Sequence, residues 1–67
     1  MISDPDIDRS ALLLIRQYGE LAALQAAIRA YERLERGDME DYAIWKRILW
    51  AIERLQAKAS AKGEAVH

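Results

Sequence analysis

Few side chains of this 67-residue sequence are suited to covalent or acid–base catalysis. The single histidine, His67, is the last residue, and the only hydroxyl nucleophiles besides the tyrosines are Ser3, Ser10 and Ser60. A nucleophilic serine needs a positioned base, and no spacing in the sequence places one beside a serine. We therefore expect no catalytic residues and no enzyme activity.

An acidic cluster near the start of the chain is the closest approach to a metal site. Asp4, Asp6 and Asp8 alternate with other residues, but the glycine and closing glutamate of a calcium loop are missing. The absence of cysteine excludes thiolate ligands and disulfides. Because carboxylates also complement the positive N-terminal end of a helix, we favour that role and predict no metal and no cofactor.

The stretch WKRILWAIERLQ contains two tryptophans in different surroundings. Trp45 falls on the apolar stripe of a helix, whereas Trp50 lies about 140° further around it, among charged residues. Three interpretations of Trp50 stay open. It covers the aliphatic stems of Lys46, Arg47 and Arg54 with a cation–π contact, it anchors an interface, or it stacks on nucleic-acid bases.

The same helix carries a basic stripe toward its C-terminal end. Its members are Lys46, Arg47, Arg54, Lys58 and Lys62, against Glu53 alone. Such a stripe can meet nucleic acid or an acidic protein, but a solvated face with cations near the helix C-terminus is the favoured interpretation. The net charge of -1 likewise does not predict a nucleic-acid binder.

Two glycines divide the chain into three predicted helices. Gly19 and Gly37 each follow an apolar helical pattern, where a left-handed glycine commonly ends a helix. Asp4, followed by Pro5, is the expected N-cap of helix one, and Asp38 that of helix three. The short joints make neighbouring helices fold back on each other. We predict an all-α, compact three-helix bundle-like fold in one domain, 1–67, with helices at about 5–18, 20–36 and 39–61 and a polar tail at 62–67.

Each predicted helix has an apolar stripe of helical period that we expect to form the core. The stripes are Ile7, Ala11, Leu14, Ile15 and Tyr18 in helix one, Leu21, Leu24, Ala27, Ile28, Tyr31 and Leu34 in helix two, and Trp45, Ile48, Leu49, Ile52, Leu55 and Ala59 in helix three. The further alanines of helix two favour helix formation.

The chain is short for a domain that is stable by itself. A three-helix domain of this length buries barely enough apolar surface to offset the entropy of ordering, and the run ALLLI around Leu13 is apolar most of the way around its helix. A second copy would add burial. We therefore predict a homodimer with Trp50, Leu13, Arg47 and Arg54 at its interface.

The N-terminal segment MISDPDIDRS lacks the basic and apolar regions of a signal peptide. No apolar run approaches the ~18 residues of a membrane helix, so we expect a cytoplasmic protein without a membrane partner. The predicted function is a small self-associating interaction or accessory module whose protein partner is unknown. The alternative is a nucleic-acid-associated regulator that uses the basic, Trp50-containing face of helix three.

The sequence from Leu13 to Gln56 resembles a family of small uncharacterised bacterial helical proteins. The shared elements are an apolar residue and glycine before an alanine-rich helix, then GD, then WxxIxxAIxxLQ. In this chain they are Tyr18-Gly19, Gly37-Asp38, Trp45, Ile48, Ala51, Ile52, Leu55 and Gln56. The ending GEAVH is also similar.

The resemblance implies a helical fold and no particular function, because the family has no assigned activity. Two positions depart from the family pattern. Tyr18 stands where the family has histidine, and Trp50 stands where its members are more polar. A role that depended on the family histidine would be missing from this chain, and the departure at Trp50 argues against a family-wide role for that side chain.

Overall fold

The structure is a computed structural model that describes the backbone of residues 3–64 and the side-chain surroundings of residues 3–58. It contains the α-helices α1 (Asp4–Tyr18), α2 (Ala22–Glu35) and α3 (Met39–Glu64), and a 3-10 turn, Gly19–Leu21, that joins α1 to α2. No strand occurs between residues 3 and 64, and the prediction of an all-α fold is confirmed. His67 and the side chains of Ala59, Ser60 and Lys62 lie outside the described part.

Helix α1 begins one residue earlier than the sequence predicts. Ser3 occupies the N-cap position with extended backbone (φ -89°, ψ 165°), and Asp4 is already helical. The Ser3 hydroxyl donates a hydrogen bond of 2.8 Å to Asp6 Oδ2. This bond and one from the Ser3 backbone hold the pKa of Asp6 below its ordinary value. The prediction of Asp4 as N-cap is wrong, because the first hydrogen bond of the helix runs from the N–H of Ile7 to the carbonyl of Ser3 at 3.0 Å, which places the cap one residue earlier.

The turn between α2 and α3 is closed by two backbone hydrogen bonds. The N–H of Gly37 donates to the Leu34 carbonyl at 3.0 Å, and the N–H of Asp38 donates to the Arg33 carbonyl at 2.9 Å. This Schellman pattern favours glycine, and Gly37 has φ 76°. Asp38 then caps α3, since its Oδ1 accepts the backbone N–H of Asp41 at 3.2 Å. The predictions for Gly37 and Asp38 are confirmed.

The joint between α1 and α2 has a different geometry. Gly19 has the positive φ that was predicted, 56°, but its ψ of -122° lies outside the left-handed helical region. The 3-10 turn that follows delays the start of α2 to Ala22, two residues beyond the predicted start at Glu20. The side-chain amide of Gln56 donates to the Gly19 carbonyl at 2.9 Å, which ties this joint to α3.

The predicted core faces of α1 and α3 are confirmed over the described residues. The buried side chains are Ile7, Ala11 and Leu14 in α1, and Ile48, Ala51 and Ile52 in α3. The partly buried side chains around them are Ile15, Tyr18, Ala23, Ile44, Trp45, Leu49 and Leu55. Trp45 therefore belongs to the core stripe, as its spacing indicates.

The predicted core face of α2 is wrong. The buried residues of this helix are Ala22, Ala26 and Ala30, one helical turn apart. The larger side chains of α2 point outward. Together with Leu21, the last residue of the 3-10 turn, they form a surface that we call the α2 apolar face: Leu21, Leu24, Ile28, Tyr31 and Leu34. Alanine allows the axes of two packed helices to approach closely, so small size rather than hydrophobicity decides which face of α2 meets the other helices.

Ala26→Leu is expected to destabilise the fold by about 1–3 kcal/mol, because Ala26 is completely buried and a larger side chain overpacks the contact. Urea unfolding followed by circular dichroism measures the loss. The control is Ala57→Leu, the same change at an exposed alanine of α3, with an expected effect within about 0.5 kcal/mol. Equal stability of the two variants would contradict the orientation of α2.

Candidate functional site

The predicted interface residues fall on two separate surfaces. Trp50, Arg47 and Arg54 line one groove of about 320 Å³ together with Asp4 and Asp8 of α1. We call this the Trp50 groove. Leu13 is not part of it. That leucine lines a different cleft, formed by residues of all three helices, and the four predicted residues therefore do not form one continuous patch.

Two ion pairs connect the arginines of the Trp50 groove to α1. Arg47 pairs with Asp4, and Arg54 Nη2 lies 2.6 Å from Asp8 Oδ1. Asp4 and Asp8 are one helical turn apart and so share a face of α1. Asp4 and Asp8 therefore each have an ion-pair partner on α3. The sequence did not indicate these partners, because it does not determine how α1 lies against α3.

Trp50 is one of the more exposed large side chains of the described part, with 57% of its surface accessible. The Lys46 ammonium lies 5.4 Å from the centroid of the indole ring. This is a cation–π arrangement, worth about 0.5–1 kcal/mol at an exposed site. The geometry supports the interpretation in which Trp50 makes a cation–π contact, and the cation is Lys46. Its role as an interface anchor stays a prediction.

The α2 apolar face is the surface that reasoning from the sequence missed, because it was assigned to the core. It continues toward α3: Tyr31 and Leu34 line a groove of about 160 Å³ with Tyr42, Lys46 and Leu49. The sequence does contain a signal that could have identified this face. Ala22, Ala26 and Ala30 recur every four residues on the other side of α2, and such a row of small residues indicates the side that packs closely against neighbouring helices.

The cleft that contains Leu13 has a volume of about 550 Å³, and we call it the arginine cleft. Its polar side chains include Arg29 and Arg33 of α2 and Asp41 of α3. Arg33 Nε donates to Asp41 Oδ2 at 2.7 Å. The Arg29 guanidinium carbon lies 5.3 Å from the centroid of the Trp45 ring. The cleft thus combines cationic groups with an aromatic and aliphatic wall.

Within the described part of the chain, no group of three or more histidine, cysteine, aspartate or glutamate side chains is arranged to hold a metal ion. The same part contains no helix with the length and apolar character required to cross a membrane.

No protein-family model, no curated protein and no solved structure matches this chain. The resemblance to small uncharacterised bacterial helical proteins therefore stays a prediction that rests on its sequence motif. Two of the motif positions, Gly19 and Gln56, are joined by a hydrogen bond, and most of the others are helix ends or core residues.

A double-mutant cycle on Asp8→Asn and Arg54→Gln is expected to give a coupling of about 0.2–1 kcal/mol, since both side chains are largely exposed. Urea unfolding measures the coupling, and it should shrink at about 1 M salt. As a control, Asp8→Asn combined with Arg36→Gln should be additive, because Arg36 forms no ion pair with Asp8. No coupling at low salt would contradict the ion pair between Asp8 and Arg54.

Proposed function

We propose that this chain is a small interaction module that pairs with a second copy of itself through the α2 apolar face. One observation carries the proposal. Large apolar side chains along one side of α2 remain exposed, between 41% for Leu34 and 62% for Tyr31. In this proposal the three helices pack as one bundle-like domain in the cytoplasm, and no residue has a catalytic role.

The composition of the core supports the need for a partner. Five of the nine buried hydrophobic residues between positions 3 and 58 are alanines, and the other four, Ile7, Leu14, Ile48 and Ile52, are large. Hydrophobic stabilisation scales with the apolar area removed from water, and an alanine removes little. A chain with few fully buried large side chains and a row of exposed ones along α2 gains from covering that row.

The spacing of the α2 apolar face suits a second copy of the same helix. Leu21, Leu24, Ile28 and Tyr31 follow the alternating three- and four-residue steps of a two-helix seam. In an antiparallel pair, Leu21 meets the partner's Tyr31, and Leu24 meets the partner's Ile28. The same surface then serves both copies, as a two-fold dimer requires.

A charged residue favours the antiparallel arrangement. Glu35 occupies the next position of the seam, at the C-terminal end of α2. A parallel pair would bring the two Glu35 carboxylates together, and this repulsion opposes association. An antiparallel pair places them at opposite ends of the interface.

The alternative function, a nucleic-acid-associated regulator acting through the basic face of α3, is less well supported. Arg47 and Arg54, two cations of that face, are paired with aspartates of α1. Phosphate binding depends on cations that are free to neutralise it. Lys46 lies over the Trp50 ring, so three of the four described cations of this face already have a partner within the chain.

Leu24→Glu is expected to convert a dimer into a monomer, because it places a carboxylate in the centre of the seam. Light scattering over a series of protein concentrations from about 10 µM to about 1 mM measures the molecular mass. The range extends to high concentration because an interface formed by one pair of helices is small and associates weakly. Circular dichroism should show unchanged helicity, since Leu24 is 55% exposed within one copy.

Two controls separate the possible interfaces. Leu12→Glu makes the same change on α1 at a leucine that is 52% exposed, and Trp50→Ala removes a side chain that is 57% exposed. We expect both variants to remain dimeric. A monomeric wild type at all concentrations would overturn the proposal, and dissociation only by Trp50→Ala would move the interface to the Trp50 groove.

Introduced thiols are expected to distinguish the two helix orientations, and the chain has no native cysteine to interfere. In an antiparallel pair Leu21 of one copy faces Tyr31 of the other, so chains carrying Leu21→Cys mixed with chains carrying Tyr31→Cys should form a disulfide-linked dimer on mild oxidation. Neither variant alone should form one, since equivalent positions are about 15 Å apart along the pair in that arrangement. Non-reducing electrophoresis reads the result, and the reverse pattern would establish a parallel pair.

A further inference from the structure

The arginine cleft is lined by the half-buried side chain of Arg29, one donor of which has no protein acceptor within the described part of the chain. Arg29 Nε is buried and has no hydrogen-bond partner among the described residues. Its guanidinium lies over the Trp45 ring, which attracts the positive charge but accepts none of its in-plane N–H groups. An unpaired buried donor is energetically costly, so an acceptor that reaches Arg29 would bind favourably.

The net charge of the cleft indicates that a negatively charged acceptor would bind there. Arg29 and Arg33 contribute two positive charges, and Asp41 contributes one negative charge that is already bound to Arg33 Nε at 2.7 Å. The remaining positive charge belongs to Arg29. A guanidinium and a carboxylate match geometrically through two parallel hydrogen bonds, and a single carboxylate would satisfy this site.

The rest of the cleft is suited to an apolar group. Leu13, which is 54% exposed, and the aliphatic side chains of Ile44 and Ile48 line the same space as Arg29. The volume of about 550 Å³ lies in the range of small-molecule sites, which combine apolar walls with a few polar anchors. The exposure of Leu13 is also explained if an apolar ligand covers it.

We propose that the arginine cleft binds a carboxylate carried on an apolar group, with the carboxylate on Arg29 and the apolar part against Leu13 and Ile44. Both a free organic acid and the C-terminal residue of a peptide offer this chemistry. The site is separate from the α2 apolar face, so it does not depend on the proposed dimer.

The test uses 3-phenylpropionate with the full chain carrying Trp50→Phe, which leaves Trp45 as the only tryptophan. Saturable binding is followed by the fluorescence of Trp45 and by amide chemical shifts. The matched probes 3-phenylpropanol and 3-phenylpropylamine have the same ring without the negative charge, and we expect both to bind at least about tenfold more weakly. Equal binding of the acid and the alcohol would overturn the proposal.

Variants of Arg29 test the anchor. Arg29→Gln should weaken binding of the acid at least about tenfold, whereas Arg16→Gln, the same change at an exposed arginine of α1, should leave it unchanged. Where circular dichroism shows that Arg29→Gln is unfolded, Arg29→Lys replaces it, with an expected loss of about threefold because the forked geometry is missing. Equal losses at positions 16 and 29, or no saturation below about 10 mM, would contradict the site.

A further comparison distinguishes a peptide C-terminus from a free organic acid as the ligand. It also tests the ligand site independently of the proposed dimer. A tripeptide ending in phenylalanine is tested with a free carboxylate and with an amidated end. Tighter binding of the free-acid peptide than of 3-phenylpropionate identifies a peptide terminus as the ligand, and the reverse order identifies a small organic acid. Binding of the acid to the Leu24→Glu variant should equal that of the parent chain, so loss of the dimer and loss of the ligand site are observed independently.

Discussion

The contact of alanines on α2 with the other helices is the constraint on which the rest of the structure depends. Ala22, Ala26 and Ala30 lie one turn apart and are buried. Their small side chains let α2 lie close to the rest of the core. This close approach leaves no room on the inner side of α2 for leucine or isoleucine. The large side chains are consequently displaced to the outside, where they form the α2 apolar face.

The sequence predicts the inner faces of α1 and α3 because on each helix the apolar stripe of helical period is also the side that packs against the other helices. Ile7 and Leu14 in α1, and Ile48 and Ile52 in α3, are buried as expected. The ends of helices were predictable for a similar reason, since Gly37 and Asp38 have strong local preferences for the conformations they adopt. In these places local chemistry and tertiary packing agree.

The orientation of α2 could not be predicted from hydrophobicity. This helix carries leucines on one side and alanines on the other, and a ranking by hydrophobicity selects the leucines. Packing instead selects the side that allows a short distance between axes. The shapes of the Trp50 groove and the arginine cleft could not be predicted from the sequence either. They depend on how distant segments are placed together: Arg54 beside Asp8, and Arg29 beside Trp45. Trp50 itself was correctly assigned to the outer side of α3.

The two faces of α2 place different requirements on the same fourteen-residue helix. Evolution can exchange the outer residues Leu24 and Ile28 for other side chains while the fold persists, because these positions contribute little to the packing within one copy. The inner alanines admit almost no alternative, since any larger side chain collides with a neighbouring helix. Divergence among descendants of such a chain would therefore accumulate on the outward side, and their association preferences would change faster than their architecture.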